Sequence, residues 1–435
     1  MGRLDGLPFR QACAQRTRER RGKPRRRKRR QALSITHKAP AINSEFSHCT
    51  STSYVSCEGM PSDVSKESLH ARGWAAHEFA TAELGDKRLV KRLERIATDF
   101  AEHPGAAIPQ ACGDAHQAKA AYRFFDNDAF EPGQILAAHT RATSQRMRAH
   151  AVVLAVQDTT YLNYSNRPAT EGLGPIGNNL DKTKGLILHS TLALTPKGEP
   201  LGVIDARIQA RSKEHFGRTG NQRNRTPLAE KESIKWLESY AACEALAAQC
   251  PGITVVSLGD REMDLYELYV ARHQARGAWP VELLVRSQHN RQLADSEQLL
   301  WDRVQEQPVC ARIEVKMPAR DGQPARVAQV AIRFAPVTLQ PPDLKSEQPP
   351  LPVWIVQASE EHPPENAKPL LWRLLTTVPV LCPEDAICRV RWYAQRWQIE
   401  VMHKVLKSGC RIEERQLESA ARLKRALMVD LVVAW

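Results

Sequence analysis

The most regular feature of the chain is a set of short apolar runs that alternate with amphipathic segments between residues 150 and about 290. Five runs rich in branched residues and bounded by polar turns predict strands: AVVLAV, LILHSTLAL, PLGVIDARIQ, ITVVSL and VELLVRS. Residues 229–249 and 262–274 have helical periodicity. Three strands followed by alternating helix and strand predict an α/β core with one mixed sheet.

A helical region precedes this core and a β-rich region follows it. Residues 66–149 are predicted to be helical, because in LGDKRLVKRLERIATDF the apolar residues form one stripe and the cations lie opposite. Between about 290 and 380, ARIEVKM, VAQVAIRF, LPVWIVQ and LLWRLLTT predict more strands, broken by the proline-rich LQPPDLKSEQPPLP. The sequence therefore predicts a core sheet that is interrupted by a β-rich insertion.

The positive charge of the chain is concentrated at its N-terminus. The net charge is +13, but residues 1–30 contain 13 Lys and Arg against two acids, which leaves only +2 for the other 405 residues. Residues 1–65 also lack hydrophobic periodicity and are predicted to be disordered. Two explanations of this leader stay open. Its RGKPRRRKRR run contacts nucleic acid nonspecifically, or it is upstream sequence and the native start is Met60.

Composition excludes several classes of protein. No apolar run approaches the ~18–20 residues that a membrane-spanning helix needs. The arginine-rich N-terminus is not followed by the apolar stretch of a secretory signal. Ten cysteines are scattered without C-x-x-C or Cys/His zinc spacing, which is typical of reduced thiols in a cytoplasmic protein.

Two aspartates follow predicted buried strands. Asp158 comes after the AVVLAV run, and Asp260 follows ITVVSLG. Open α/β sheets place their chemistry at the carboxyl ends of their strands. A cap or an Asx-turn is the commoner role for each aspartate taken alone. A third carboxylate that could meet both would favour a metal site instead.

The segment RWYAQRWQIEVMHKVLKSGC supplies such a carboxylate. On a single helix, Tyr393, Arg396, Glu400 and Lys407 would fall within about 60° of one another, with Lys404 beside them. The apolar residues of the same helix lie opposite: Trp392, Ile399, Met402, Val405 and Leu406. A solvated helix face is the simpler explanation of one such stripe. Together with the two aspartates, however, Glu400 forms an all-oxygen set of the kind that Mg²⁺ prefers.

These residues and their spacing resemble those of a DDE transposase of the insertion-sequence-four type. The resemblance rests on QDTT at 157–160, DREMD at 260–264 and the Y-R-E-K spacing from Tyr393 to Lys407. Further matches are ELGDKR, YRFFDN, GLILHSTLAL, EKESIKW and LLVRS. It covers residues 73–435 and implies a ribonuclease-H-like mixed sheet with helices, a β-rich insertion and a preceding all-helical DNA-binding domain. The expected division is 1–65 leader, 66–149 DNA-binding domain and 150–435 catalytic domain with the insertion at about 290–380.

The resemblance also implies the roles of individual residues. Asp158, Asp260 and Glu400 would be the catalytic residues and would hold two Mg²⁺ or Mn²⁺ ions for cleavage of a DNA phosphodiester. Other residues would grip the DNA phosphates: Tyr393, Arg396, Lys404, Lys407 and Arg286. Trp372 would stack on an unpaired base, or is simply a core aromatic residue. Recognition of the DNA ends would fall to the cations of the helical region: Lys87, Arg88, Lys91, Arg92, Arg95 and Arg123.

We therefore expect a transposase that binds the terminal inverted repeats of an insertion sequence, cuts there and joins the ends to target DNA. Its partners would be double-stranded DNA and a second protomer in a synaptic complex, and its location the bacterial cytoplasm, with the nucleoid. The chain ends 28 residues after Lys407, where the family continues with helices that pair subunits. The alternative is accordingly a truncated, catalytically incompetent DNA-binding remnant or an inhibitor of transposition. A ribonuclease-H-like nuclease of repair or RNA processing would leave the Y-R-E-K segment and the insertion unexplained.

Overall fold

The computed structural model describes residues 73–177, 183–212, 226–319, 324–365 and 367–435. They belong to one compact unit that runs from Val64 to Trp435. The predictions for the leader at 1–65 lie outside the described residues.

Eleven helices lie within the described ranges. Five precede the sheet: α1 (Trp74–Glu78), α2 (Lys87–Glu102), α3 (Ile108–Ala111), α4 (Ala115–Phe125) and α5 (Pro132–Met147). Three lie among the strands: α6 (Ile234–Ala247), α7 (Tyr266–Gln274) and α8 (Leu300–Gln305). Three follow the last strand: α9 (Pro383–Ala394), α10 (Trp397–Lys404) and α11 (Ala420–Ala434).

The described strands form one sheet of twelve. The first six are β1 (Val152–Asn163), β2 (Gly174–Pro175), β3 (Lys184–Leu194), β4 (Pro200–Gln209), β5 (Thr254–Gly259) and β6 (Glu282–Arg286). The other six are β7 (Gln292–Leu293), β8 (Ser296–Leu299), β9 (Ala311–Met317), β10 (Arg326–Leu339), β11 (Leu351–Glu360) and β12 (Leu371–Thr376). The five predicted core strands correspond to β1, β3, β4, β5 and β6.

The sheet is mixed, as predicted. Its order is β2-β3-β1-β5-β6-β12-β11-β10-β7-β8, with β4 paired to β3 and β9 to β10. Strand β1 is antiparallel to β3 and parallel to β5, and β5 is parallel to β6. The predicted insertion is not a separate sheet, because β12 pairs with β6 and extends the core sheet directly.

Alternate residues of β1 enter two different apolar layers. Leu154 and Val156 pack in the cluster that includes the helices at both ends of the chain, whereas Val153 and Ala155 pack with α6 and α7. Because successive side chains of a strand point to opposite faces, the sheet is covered by helices on both faces. The side chain of residue 158 therefore belongs to the face of Leu154 and Val156.

The helical region also follows its predicted pattern. Helix α2 begins after Asp86, whose carboxylate accepts a hydrogen bond from the backbone N–H of Arg88. Its predicted stripe packs inward, with Leu93, Ile96 and Phe100 fully buried. The α2–α5 region packs against α11 and β4 within the same compact unit. That these helices form a domain of their own stays a prediction.

Strand β1 is longer than the sequence predicted. Asp158 was expected just after a strand that ends at Val156, but β1 continues to Asn163. The parallel ladder to β5 does end at the Val156–Leu258 pair, whereas the antiparallel ladder to β3 continues to Asn163. Asp158 thus lies in the middle of β1, at the end of its parallel pairing.

No helix within the described residues is both long enough and apolar enough to cross a membrane.

Candidate active site

The first two carboxylates are placed together by the register of two parallel strands. Val156 of β1 pairs with Leu258 of β5, and Asp158 and Asp260 each lie two residues further on. Neighbouring strands are about 4.8 Å apart, so the two aspartates lie side by side just beyond the last pair of the parallel ladder. Both continue the series of residues that faces the layer of α9, α10 and α11.

The third carboxylate comes from a helix that covers this face. Helix α10 packs on β1 through Ile399 and Met402 and carries Glu400 at its partly exposed edge. His403 Nε2 is 2.8 Å from the hydroxyl of Ser190, which is the residue of β3 directly opposite Asp158. This buried hydrogen bond fixes the Glu400 helix to the strand next to Asp158.

The guanidinium of Arg396 lies between two of these carboxylates. Arg396 donates a hydrogen bond to Glu400 Oε1 and has its Nη1 3.9 Å from Asp158 Oδ2. Its side chain is 11% exposed, whereas those of Asp158, Asp260 and Glu400 are 27%, 36% and 40% exposed. The cation is therefore more buried than the carboxylates that surround it.

Asp260 has two further partners. Arg286 Nη1 lies 3.4 Å and the Tyr393 hydroxyl 3.3 Å from Asp260 Oδ1. Burial alone would raise the pKa of Asp260, but Arg396 and Arg286 outweigh it and lower that pKa below its ordinary value. Trp372 packs edge-on against Tyr393, with ring centroids 5.0 Å apart.

Asp158 has the opposite electrostatic environment. Burial, together with the charges of Glu400 and Asp260, raises the pKa of Asp158 to about 6. The backbone N–H of Thr159 and the Arg396 guanidinium oppose this rise in pKa. The three carboxylates are thus close enough to repel one another.

The predicted metal ligands do not form a ready-made metal cluster. Over the described ranges, no three His, Cys, Asp or Glu side chains are arranged so that they could hold a metal ion. The donor chemistry is nevertheless of the type that a hard cation prefers, because three carboxylates lie in one region. The guanidiniums of Arg396 and Arg286 lie against the same carboxylates.

The predicted continuous helix from Tyr393 to Lys407 is wrong. Helix α9 ends at Ala394, α10 spans Trp397–Lys404, and a π-helical turn covers Val405–Gly409. At the junction the N–H groups of Gln395 and Arg396 bond three residues back instead of four. Tyr393 is consequently buried and not on an open charged face, and Val405, predicted to be inside, is exposed.

The two lysines of the same segment lie at the edge of the site. Lys407 donates a hydrogen bond to the Tyr161 carbonyl oxygen at the far end of β1, 2.6 Å away. Lys404 is exposed and has no polar partner within the described part of the chain. Both ammonium groups are therefore accessible to an anionic ligand.

The six cations predicted to recognise the DNA ends lie on α2 and α4, which carry none of the three carboxylates. Arg88 pairs with Asp86, Arg95 with Asp99, and Arg92 bonds the Gln117 side chain of α4. Lys87, Lys91 and Arg123 are exposed. The first five residues lie on α2, and Arg123 lies on the outer face of α4.

Two sets of residues support the site although the sequence spacing did not point to them. The first is the hydrogen-bonded pair Ser190 and His403, which only the strand register brings together. The other is Asp264, which is buried and accepts hydrogen bonds from the N–H groups of Gln288 and His289 and from Arg291. Asp264 thereby holds the loop that follows Arg286 and acts as a support.

Comparison with known proteins points to the helical region. Residues 71–130 match the family model described as transposase DNA-binding. Among solved structures, a match is the cryo-EM structure of the piggyBac transposase synaptic complex with hairpin DNA. It is 13% identical, covers 82% of this chain and 69% of that chain, and has a TM-score of 0.39. The family-model match supports a DNA-binding transposase.

Proposed function

We propose that the protein is a DDE transposase of the insertion-sequence-four type, which binds the terminal inverted repeats of its element and catalyses metal-dependent strand cleavage and strand transfer. One observation carries the proposal. Asp158, Asp260 and Glu400, from two parallel strands and one helix, lie around Arg396 in one partly exposed region. Three carboxylates against the two guanidiniums of Arg396 and Arg286 leave negative charge for divalent ions.

The order of the strands supports a ribonuclease-H-like core. Antiparallel β4, β3 and β1 are followed by parallel β5 and β6, which is the order that the sequence resemblance implies. The two aspartates lie on the central pair of strands, β1 and β5. The helix with the third carboxylate is attached to β3 through Ser190.

In this proposal Asp158, Asp260 and Glu400 hold two Mg²⁺ or Mn²⁺ ions. When bound, such ions activate the attacking oxygen and stabilise the leaving oxygen of an in-line displacement at a phosphodiester. The residues of the chain orient this set. Arg286 and the Tyr393 hydroxyl hold one oxygen of Asp260, and the His403–Ser190 bond holds the helix of Glu400.

Other residues bind the DNA beside the carboxylates. Arg396, Lys404 and Lys407 present cations along one edge, and a guanidinium such as that of Arg396 can bind a phosphate through two parallel hydrogen bonds. Trp372 is half-buried next to Tyr393. In the proposed complex its ring stacks on an unpaired base, which contributes about 1–3 kcal/mol per base in proteins that bind single strands.

The proposed partners follow from this activity. The helical region that matches the transposase DNA-binding model binds the ends, and a second protomer completes a synaptic complex. The proposed location is the bacterial cytoplasm, in association with the nucleoid.

An end-cleavage assay tests the proposal. Full-length protein is incubated with duplexes that carry the candidate inverted repeats, with Mg²⁺ or Mn²⁺. We expect nicking at the repeat end, and we expect Asp158→Asn to abolish it without reducing DNA binding. Asp343→Asn is the matched control, since Asp343 is exposed on a turn of the insertion. Specific binding without nicking by the unmodified protein would instead favour the DNA-binding remnant.

A further inference from the structure

We propose that Arg396 is a built-in counter-ion of the catalytic carboxylates, which divalent metal ions must displace before they can bind. The inference deepens the proposed function and rests on it, because it concerns the same three carboxylates. In the metal-free protein, this one side chain offsets part of the negative charge of the cluster.

The contacts of Arg396 place its charge at the centre of the cluster. Its guanidinium bonds Glu400, lies 3.9 Å from Asp158 and is among the charges that lower the pKa of Asp260. Arg286 reaches only Asp260 of the three. Arg396 is therefore the cation that acts on all of them.

Burial strengthens these contacts. Arg396 is 11% exposed, and its charge acts in a region where water screens poorly. A unit charge close to a carboxylate in such a region attracts it more strongly than the same charge in open water. A metal ion that enters the cluster must replace that interaction or share the carboxylate with the arginine.

The position of Arg396 explains why the ligands are present but do not form a metal cluster. Glu400 is directed toward Arg396 four residues earlier, at the start of α10, and not toward the aspartates alone. No three possible ligands in the described ranges are arranged to hold an ion. When the guanidinium turns away, Glu400 is released toward the aspartates and Arg396 becomes free to bind an anion.

The junction between α9 and α10 gives Arg396 room for such a change. Arg396 is the residue that precedes α10, and its N–H bonds Tyr393 three residues back. Its position at the helix end means that its side chain can turn without breaking the α10 hydrogen bonds. The carboxylate that it leaves, Glu400, stays fixed to the sheet through His403.

Mn²⁺ titration of the full-length protein without DNA tests the inference, with free Mn²⁺ followed by electron paramagnetic resonance. We expect Arg396→Gln to bind Mn²⁺ at least about tenfold more tightly than the unmodified protein, because the competing charge is gone. Arg396→Lys keeps that charge and should stay near the unmodified affinity. The matched control is Arg312→Gln, which removes an exposed guanidinium that pairs with Glu361 outside the cluster and should change the affinity less than about threefold.

Thermal melting provides a second readout that does not depend on cleavage. In EDTA, Arg396→Gln should melt below the unmodified protein, because the three carboxylates repel one another without a counter-ion. Mn²⁺ should then raise its melting temperature by more than it raises that of the unmodified protein.

The outcomes separate the inference from the proposed function. If Arg396→Gln binds Mn²⁺ no more tightly than the unmodified protein, and Asp158→Asn abolishes binding in both, the metal site stands and the counter-ion inference is wrong. If no variant binds Mn²⁺ at the carboxylates, the metal-dependent function and the inference fall together.

Discussion

Two arginines of this protein meet carboxylates in opposite ways. Arg415 binds Asp430 through two hydrogen bonds of 3.2 and 2.6 Å, and the two side chains are 4% and 0% exposed. Arg415 also lies 4.0 Å from the Phe100 ring centroid and donates to the Ala106 carbonyl oxygen. Arg396, in contrast, serves three carboxylates that are all partly accessible.

The difference lies in charge balance and access. The Arg415–Asp430 pair is neutral, closed and satisfied, so it joins α2 to α11 and has no capacity left for a ligand. The Arg396 cluster keeps an excess of negative charge at an open edge. Fixed charges that are not balanced internally are unfavourable for folding, and they are expected where a ligand completes them.

The largest expected effect is on the closed pair. Asp430→Ala leaves the Arg415 charge buried without a partner and should lower the free energy of unfolding by about 3–5 kcal/mol. Glu400→Gln removes one partner of a partly exposed pair and should change the free energy of unfolding by only about 0–1 kcal/mol. Urea denaturation of both variants measures the contrast, and similar losses in the two would show that the cluster is architectural as well.

The next effect is the pH dependence of the metal-free protein. The pKa of Asp158 is raised to about 6 from an ordinary 3.8. The stability that this group contributes is therefore fully present below its unfolded pKa and is lost as the pH rises through about 6. The shift corresponds to about 3 kcal/mol between pH 4 and 7.5.

Asp158→Asn should remove this dependence. In EDTA, the variant should gain stability over the unmodified protein as the pH rises from 4.5 to 7.5, as measured by urea denaturation at each pH. A constant difference between the two proteins across that range would mean that the Asp158 carboxyl is not destabilised in the folded state.

The sequence predicted the sheet and the members of the cluster better than the contacts among them. Apolar runs located β1, β3, β4, β5 and β6, because a buried strand records its burial in consecutive residues. Of the residues that the spacing from Tyr393 to Lys407 named, Tyr393 and Arg396 meet the aspartates, whereas Lys407 bonds the Tyr161 carbonyl oxygen. It could not show the break at Gln395, since a switch to shorter hydrogen bonds leaves the helical periodicity of the sequence almost unchanged.

Contacts between distant residues were also beyond the sequence. The partnership of Arg415 with Asp430 depends on how the segment before α11 folds back on that helix, and no local pattern encodes it. The same holds for Ser190 and His403, which are 213 positions apart in the sequence and meet through the strand register. Residues 1–65, where most of the positive charge lies, are outside the described structure.

Besides Arg415 and Arg396, a third kind of cation in the described residues is exposed and has no carboxylate partner. On the outer face of α4, Lys119 and Arg123 have no ion-pair partner within the described part of the chain. They flank the half-exposed Tyr122 on the wall of a cleft of about 470 Å³ that Arg422 also lines. When such cations bind DNA phosphates, the counter-ions of the DNA are released, so the affinity depends strongly on the salt concentration.

We therefore expect the double variant Lys119→Ala, Arg123→Ala to weaken DNA binding and to reduce the slope of log affinity against log salt by about 2. The matched variant Lys87→Ala, Lys91→Ala removes the same charge from α2, within the same matched segment. Fluorescence anisotropy at several salt concentrations compares the two. Equal losses of affinity in the two variants would show that the general positive charge of the region attracts the DNA. A loss of affinity in the α2 variant alone would place the phosphate contacts on that helix instead.

The smallest expected effect concerns the cap of α2. Asp86 accepts the N–H of Arg88 at 2.8 Å and also pairs with its guanidinium, so it stabilises the helix while it neutralises a predicted DNA contact. Asp86→Ala should lower the free energy of unfolding through loss of the cap, by less than Asp430→Ala or the titration of Asp158 changes it. DNA affinity at low salt should not fall and should rise slightly, because Arg88 is released. Denaturation and anisotropy on the same preparation measure both, and a fall in affinity that exceeds the loss of folded protein would show that Arg88 binds DNA only in the position that Asp86 gives it.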